Sequence, residues 1–189
     1  MPPKAKVTKE TIVNAAVEII RQQGEGALNA RSIAAKLGCS TQPVFSNFAS
    51  MSELRRATLE RVRAIYDENT ARIMSLDKYP PYKASGMAYI DFARREKELF
   101  KLMFMRERST EFENGADDLD GLFSFGVGLA STCSGVESEK IELFHFEVWS
   151  FIHGIASMLA TGFLDMDENA ISAMVTDVYL GLKSRFGVN

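Results

Sequence analysis

Cysteine and histidine are almost missing from this chain, with two of each in 189 residues. Cys39 and Cys133 make no disulfide framework, and reduced thiols fit a cytoplasmic location. Two histidines and two cysteines so scattered offer no metal site. Proline is also scarce, at five residues, which leaves room for uninterrupted helices. No run of eighteen apolar residues marks a membrane span, and the N-terminus MPPKAKVTKE is basic without the apolar stretch of a signal peptide. A Gly-rich phosphate loop is missing as well. His145 and His153 share one helical stretch with Glu142 and Glu147, yet no motif supplies the nucleophile and orienting partner that an enzyme would need. The acidic run Glu111, Glu113, Asp117, Asp118 and Asp120 lacks calcium-loop spacing and reads as a solvated loop. The expectation is therefore no catalytic residues, no metal, no cofactor and no membrane.

What is present is hydrophobic residue in ordinary amount, 46%, and an uneven distribution of charge. Through Tyr66 the chain has ten Lys and Arg against five Asp and Glu, whereas the remainder has twelve against twenty. A basic end on an acidic body suits an N-terminal nucleic-acid-binding module, although chance clustering of solvated charge would look the same.

The pattern in the basic end separates those readings. Ile12, Ala15, Ala16, Ile19 and Ile20 share a helical face, with Thr8 as its cap and Gly24 and Gly26 as its stop. Asn29 is the next cap, followed by Ile33, Ala34 and Leu37 at helical spacing. Gly38 supplies a tight turn, Cys39 fills it as a small apolar residue, and Ser40 or Thr41 is the expected cap of another short helix. Pro43 stands in the first turn of that helix, where a missing N–H does least harm, and Val44 and Phe48 form its inward face. Two short helices around such a turn make a helix-turn-helix. The outward face is Thr41, Gln42, Phe45, Ser46 and Asn47. Gln and Asn can pair with adenine, and Ser and Thr with bases or phosphates, but a polar solvated face would have the same composition.

The stretch Gly24, Asn29-Ala30-Arg31-Ser32-Ile33-Ala34, Leu37-Gly38-Cys39-Ser40, Val44-Phe45-Ser46-Asn47-Phe48 and Ser50-Met51-Ser52-Glu53-Leu54 resembles the N-terminal domain of the TetR family of transcriptional regulators. That pattern runs G-x-x-x-x-T-V-R-x-I-A, then L-G-V-S, then L-Y-x-H-F-x-S-K-x-x-L. Three positions depart from it: Phe45 stands for Tyr, Asn47 for His and Met51 for a Lys that commonly touches the DNA backbone. The departures shift backbone contacts toward Lys4, Lys6, Lys9, Arg31, Lys36 and the N-terminus of the fourth helix. Arg55 and Arg56 are further candidates.

Helical patterning continues without a linker from about Ser52 to Leu76. Further helices are expected from Tyr82 to Arg94, Lys97 to Arg108, Asp117 to Thr132, Ser138 to Gly162 and Glu168 to Phe186. Phe144, Val148, Phe151, Ile152, Ile155, Met158 and Leu159 exceed one buried stripe, and Ala170, Met174, Val178 and Leu182 form another. With Gly154 and Gly181 permitting close approach, the last two helices suggest a homodimer interface, as the resemblance also implies; packing within one subunit is the alternative. Trp149-Ser-Phe-Ile-His153-Gly154 resembles the Trp-x-x-x-His-Gly signature of a TetR-type C-terminal effector domain. Phe100, Met103, Phe104, Phe123, Trp149 and His153 are candidates to line an effector pocket, and an ordinary core would use the same residue types. His153 reads first as a core histidine bonded to a neighbouring helix.

The expected architecture is all-α: residues 1–54 as a helix-turn-helix DNA-binding domain with a basic arm, and 55–189 as a larger helical effector-binding and dimerisation domain. The expected function is a transcriptional repressor that binds a palindromic operator in double-stranded DNA as a homodimer and is released by a small molecule. The alternative is a ligand-binding or protein-interaction module of the same fold with weakened DNA binding.

Overall fold

The computed structural model describes residues 7–106 and 119–188. Among these, nine α-helices follow one another: α1 (Lys9–Gln23), α2 (Ala30–Leu37), α3 (Gln42–Asn47), α4 (Met51–Ser75), α5 (Pro81–Arg95), α6 (Lys97–Phe104), α7 (Leu119–Cys133), α8 (Ile141–Ala160) and α9 (Glu168–Arg185). The chain forms two compact units, one holding residues up to Ile65 together with α6 from Glu98 on, the other Tyr66–Lys97 and the helices from α7 onward. The first unit thus includes α4 as far as Ile65. Leu54, Thr58, Leu59 and Val62 of α4 are all buried, so the helix contributes core well beyond its first turn.

In the first unit the helix ends follow their cap residues. Thr8 accepts from the Thr11 amide and donates its own amide to the Thr11 hydroxyl, at 3.2 and 2.9 Å. Asn29 Oδ1 accepts from the Arg31 and Ser32 amides at 3.0 and 2.9 Å. Gly38 ends α2 in the left-handed region, at φ 63° and ψ 34°. The Cys39 amide then reaches the Ala34 carbonyl at 3.0 Å and the Gly38 amide the Ala35 carbonyl at 3.2 Å, a Schellman closure. Cys39 itself is half-buried, only partly tucked into the turn.

The expected side-chain cap on α3 does not form at Thr41. A capping oxygen bonds the second or third helical amide. Pro43 removes the second, and the Val44 amide turns to the Thr41 carbonyl at 3.1 Å. Ile12, Ala16, Ile20, Ile33, Val44, Phe48 and Leu54 make the core of this unit, joined by Leu99 and Phe100 of α6.

The second unit is organised on α5 and α8. Pro80 and Pro81 open α5 without wasting a donor. Asp167 caps α9 by accepting from Asn169 and Ala170. Tyr82, Ala88, Tyr89, Phe92, Phe144, Val148, Ile152, Ile155, Leu159, Ile171 and Val175 are buried. By length and composition α8 is apolar enough to cross a membrane. Its inner face is the centre of this core, which accounts for that composition. Gly126 on α7 permits a close approach, because a Cβ there would lie 2.3 Å from the His145 ring.

Most of the α8 stripe expected at a dimer interface is core: Phe144, Val148, Ile152, Ile155 and Leu159 are buried within the subunit. The large apolar side chains left outside on α8 and α9 are Leu143, Phe146, Met174 and Leu180. Gly154 and Gly181 have no neighbour within 4 Å of a would-be Cβ.

Candidate nucleic-acid interface

Helix α3 is held by two side chains, Val44 and Phe48, only 1% and 3% exposed. That anchoring turns Gln42, Phe45 and Ser46 outward, with Thr41 and Asn47 half-buried at the margins. Phe45 is 56% exposed. Two of the expected base-reading groups already have bonds inside the helix. Ser46 Oγ donates to the Gln42 carbonyl at 2.9 Å, and Asn47 Nδ2 donates to the Pro43 carbonyl at 2.8 Å. Neither bond was foreseeable from residue type, because both depend on which rotamer the short helix permits.

Arg31 and Lys36 are exposed on α2. Lys9 ties α1 to the start of α4: its ammonium lies 3.3 Å from Glu53 Oε1 and 5.2 Å from the centre of the Phe48 ring. Glu53 in turn accepts the Ala49 amide at 2.7 Å, while its own amide goes to Ser50 Oγ at 3.1 Å. The Ala49 hydrogen bond, then Lys9, hold the Glu53 carboxyl below its ordinary range. The beginning of α4, expected to receive a phosphate, therefore already has a carboxylate beside it. Lys4 and Lys6 lie outside the described residues.

The six effector candidates fall in two units. Phe100 and Met103 are buried in α6 of the first unit, with Phe104 half-buried and its ring 5.1 Å from that of Phe100. Phe123, Trp149 and His153 belong to the second and are half-buried. Trp149 stacks on His153 at 4.9 Å. His153 Nδ1 shares a 2.8 Å hydrogen bond with the Tyr89 hydroxyl of α5, and Nε2 lies 3.3 Å from Ser157 Oγ. Burial lowers the His153 pKa, so the ring is held toward its neutral form.

A second polar pair, not singled out by the sequence, joins Tyr82 and His145 at 2.9 Å. Burial lowers His145 to about 4 and pushes the Tyr82 phenol up. The Phe123 ring closes on His145 at 4.8 Å. Each of the two histidines of α8 thus bonds a tyrosine of α5. No group of three or more potential metal ligands is gathered among the described residues.

A family model described as "Tetracyclin repressor-like, C-terminal domain" matches residues 82–178. The chain belongs to the TetR family of transcriptional regulators. TetR regulators are typically not enzymes. An uncharacterized HTH-type transcriptional regulator of Mycobacterium tuberculosis is 25% identical over 191 residues, which covers 94% of this chain and 81% of that protein. A protein of unknown function from Rhodococcus sp. RHA1 has a similar structure at TM-score 0.74 and 19% identity, covering 97% of this chain and all of that one (100%). A TetR-like transcriptional regulator from the same strain gives TM-score 0.67 at 16% identity, covering 95% and 96% of the two chains. The TetR-like structure shares the all-α fold of this chain.

Proposed function

We propose that this TetR-family protein is a cytoplasmic repressor that binds a palindromic operator as a homodimer and is released by a small molecule. The reading rests on α3: an outward Gln42, Phe45 and Ser46 face on a helix anchored by Val44 and Phe48, in the basic N-terminal part of the chain. Residues 1–54 read DNA and 55–189 bind the effector and dimerise. Thr41, Gln42, Phe45, Ser46 and Asn47 face the groove, and Lys4, Lys6, Lys9, Arg31 and Lys36 favour phosphates. The exposed Leu143 and Phe146 of α8 and Met174 and Leu180 of α9, with open space at Gly154 and Gly181, support a two-fold contact between copies of this chain. Half-sites then fall about 34 Å apart, one DNA turn, or multiples of it. Phe123, Trp149 and His153 are the effector candidates in the second unit, with Phe100, Met103 and Phe104 in the first.

The test is selection of binding duplexes from a random pool, followed by gel shift at two salt concentrations. A repressor of this kind enriches one palindrome and loses affinity steeply with salt. Compounds that raise the melting temperature identify the effector, which should then weaken the shift. A second reading, a ligand-binding module with weakened DNA binding, draws support from the Glu53 carboxylate beside α4 and from the internal bonds of Ser46 and Asn47. It is favoured if compounds stabilise the protein but no duplex is enriched.

A further inference from the structure

Phe45 is the one large apolar side chain on the reading face of α3, and more than half of it is exposed at 56%. The other aromatic of this segment, Phe48, is 3% exposed and belongs to the core. Phe45 therefore has no stabilising role that burial would explain. It carries no hydroxyl, so it cannot donate to a phosphate. The polar groups flanking it are partly committed, Ser46 Oγ to the Gln42 carbonyl and Asn47 Nδ2 to the Pro43 carbonyl. Gln42 stands three positions before Phe45 on the same helical face, so the two side chains are neighbours. In a major groove the apolar feature of a base edge is the thymine C5-methyl, and adenine N6 and N7 offer the fork that a glutamine amide matches.

We infer that Phe45 reads the thymine methyl in each half-site and that the Gln42–Phe45 pair selects an A·T-containing step. The inference rests on the DNA-reading role of α3 proposed above. Removing the methyl while keeping base pairing isolates it.

The experiment uses the full-length protein and the palindrome obtained by selection. Each thymine is replaced in turn by deoxyuridine, symmetrically in both half-sites, and affinity is measured by fluorescence anisotropy. Loss of one buried methyl should weaken binding about threefold to fivefold per half-site at one position. Phe45→Ala should bind more weakly and be indifferent to uridine at that position, while Phe45→Leu should retain part of the sensitivity. Unchanged circular dichroism and melting temperature show that the variants fold. A selected palindrome with no uridine-sensitive position, or one whose sensitivity survives Phe45→Ala, overturns the inference and leaves the DNA-reading role standing. Failure to select any duplex overturns both.

Discussion

Replacing Gly126 by alanine should destabilise the second unit even though alanine is the better helix former. A Cβ at this position would lie 2.3 Å from His145 Cε1 and 2.4 Å from Nε2, so the ring must retreat by about 1 Å to reach ordinary contact. It has little freedom to do so. Nδ1 is bonded to the Tyr82 hydroxyl at 2.9 Å, the Phe123 ring lies 4.8 Å away, and the residue is buried. Overpacking costs about 1–3 kcal/mol, and a disrupted buried hydrogen bond about 1 more. The helix-propensity gain of alanine over glycine returns about 1. The net loss is about 1–3 kcal/mol, which for a chain of this size lowers Tm by about 2–12 °C. Thermal melts followed by circular dichroism read it directly. Gly86→Ala is the control: its Cβ meets the terminal Ile152 Cδ1 at 2.7 Å, and that methyl can rotate aside. Its effect should stay within about 1 kcal/mol. In a His145→Ala background, Gly126→Ala should lose its penalty. A Tm at or above wild type for Gly126→Ala, or the same cost in both backgrounds, would refute the reasoning.

Acid should expose the other side of the same pair. Burial depresses His145 to about 4, below its ordinary 6.5, so the unfolded chain takes up this proton first as pH falls. Stability contributed by the neutral ring is complete above about 6.5 and lost progressively toward about 4. His145→Gln keeps a partner for Tyr82 and should show a shallower fall of Tm across that window. Gly38→Ala should cost about 1–2 kcal/mol, because φ is 63° and the space is open, leaving only backbone strain. Gly38→Asn should recover part of it in urea melts. Phe146→Glu places a charge on the exposed face of α8 and should abolish the proposed dimer in sedimentation, with no change in near-ultraviolet dichroism; a dimer that survives the substitution would exclude that face.

Local chemistry was legible in the residues. Thr8, Asn29 and Gly38 do what their types dictate, because a cap or a left-handed turn needs only its immediate neighbours. Helix order in the rest of the chain follows from apolar spacing. What the α8 stripe packs against was not legible: Phe144 and Val148, expected at a dimer interface, are buried within the subunit, while Leu143 and Phe146, equally apolar, are exposed. A helix that is apolar around most of its circumference gives periodicity no purchase. Contacts distant in sequence were hidden for a different reason. Lys9 and Glu53 are 44 positions apart, and Tyr82 and His145 are 63 apart, so composition could name each residue but not its partner. The absent cap at Thr41 was partly implicit in Pro43, which removes one of the two amides that a capping hydroxyl could take.

The division of labour on α3 has an evolutionary consequence. Val44 and Phe48 hold the helix in place, and Gln42, Phe45 and Ser46 contribute little to that anchoring. Substitutions at the outward positions therefore leave folding largely untouched, within about 0.5 kcal/mol for typical surface sites. Such positions can drift, duplicate and diverge without first passing through an unstable intermediate. The scaffold thus tolerates replacement of Gln42, Phe45 and Ser46 one at a time, whereas Asn47, half-buried and bonded to the Pro43 carbonyl, is not free in the same way.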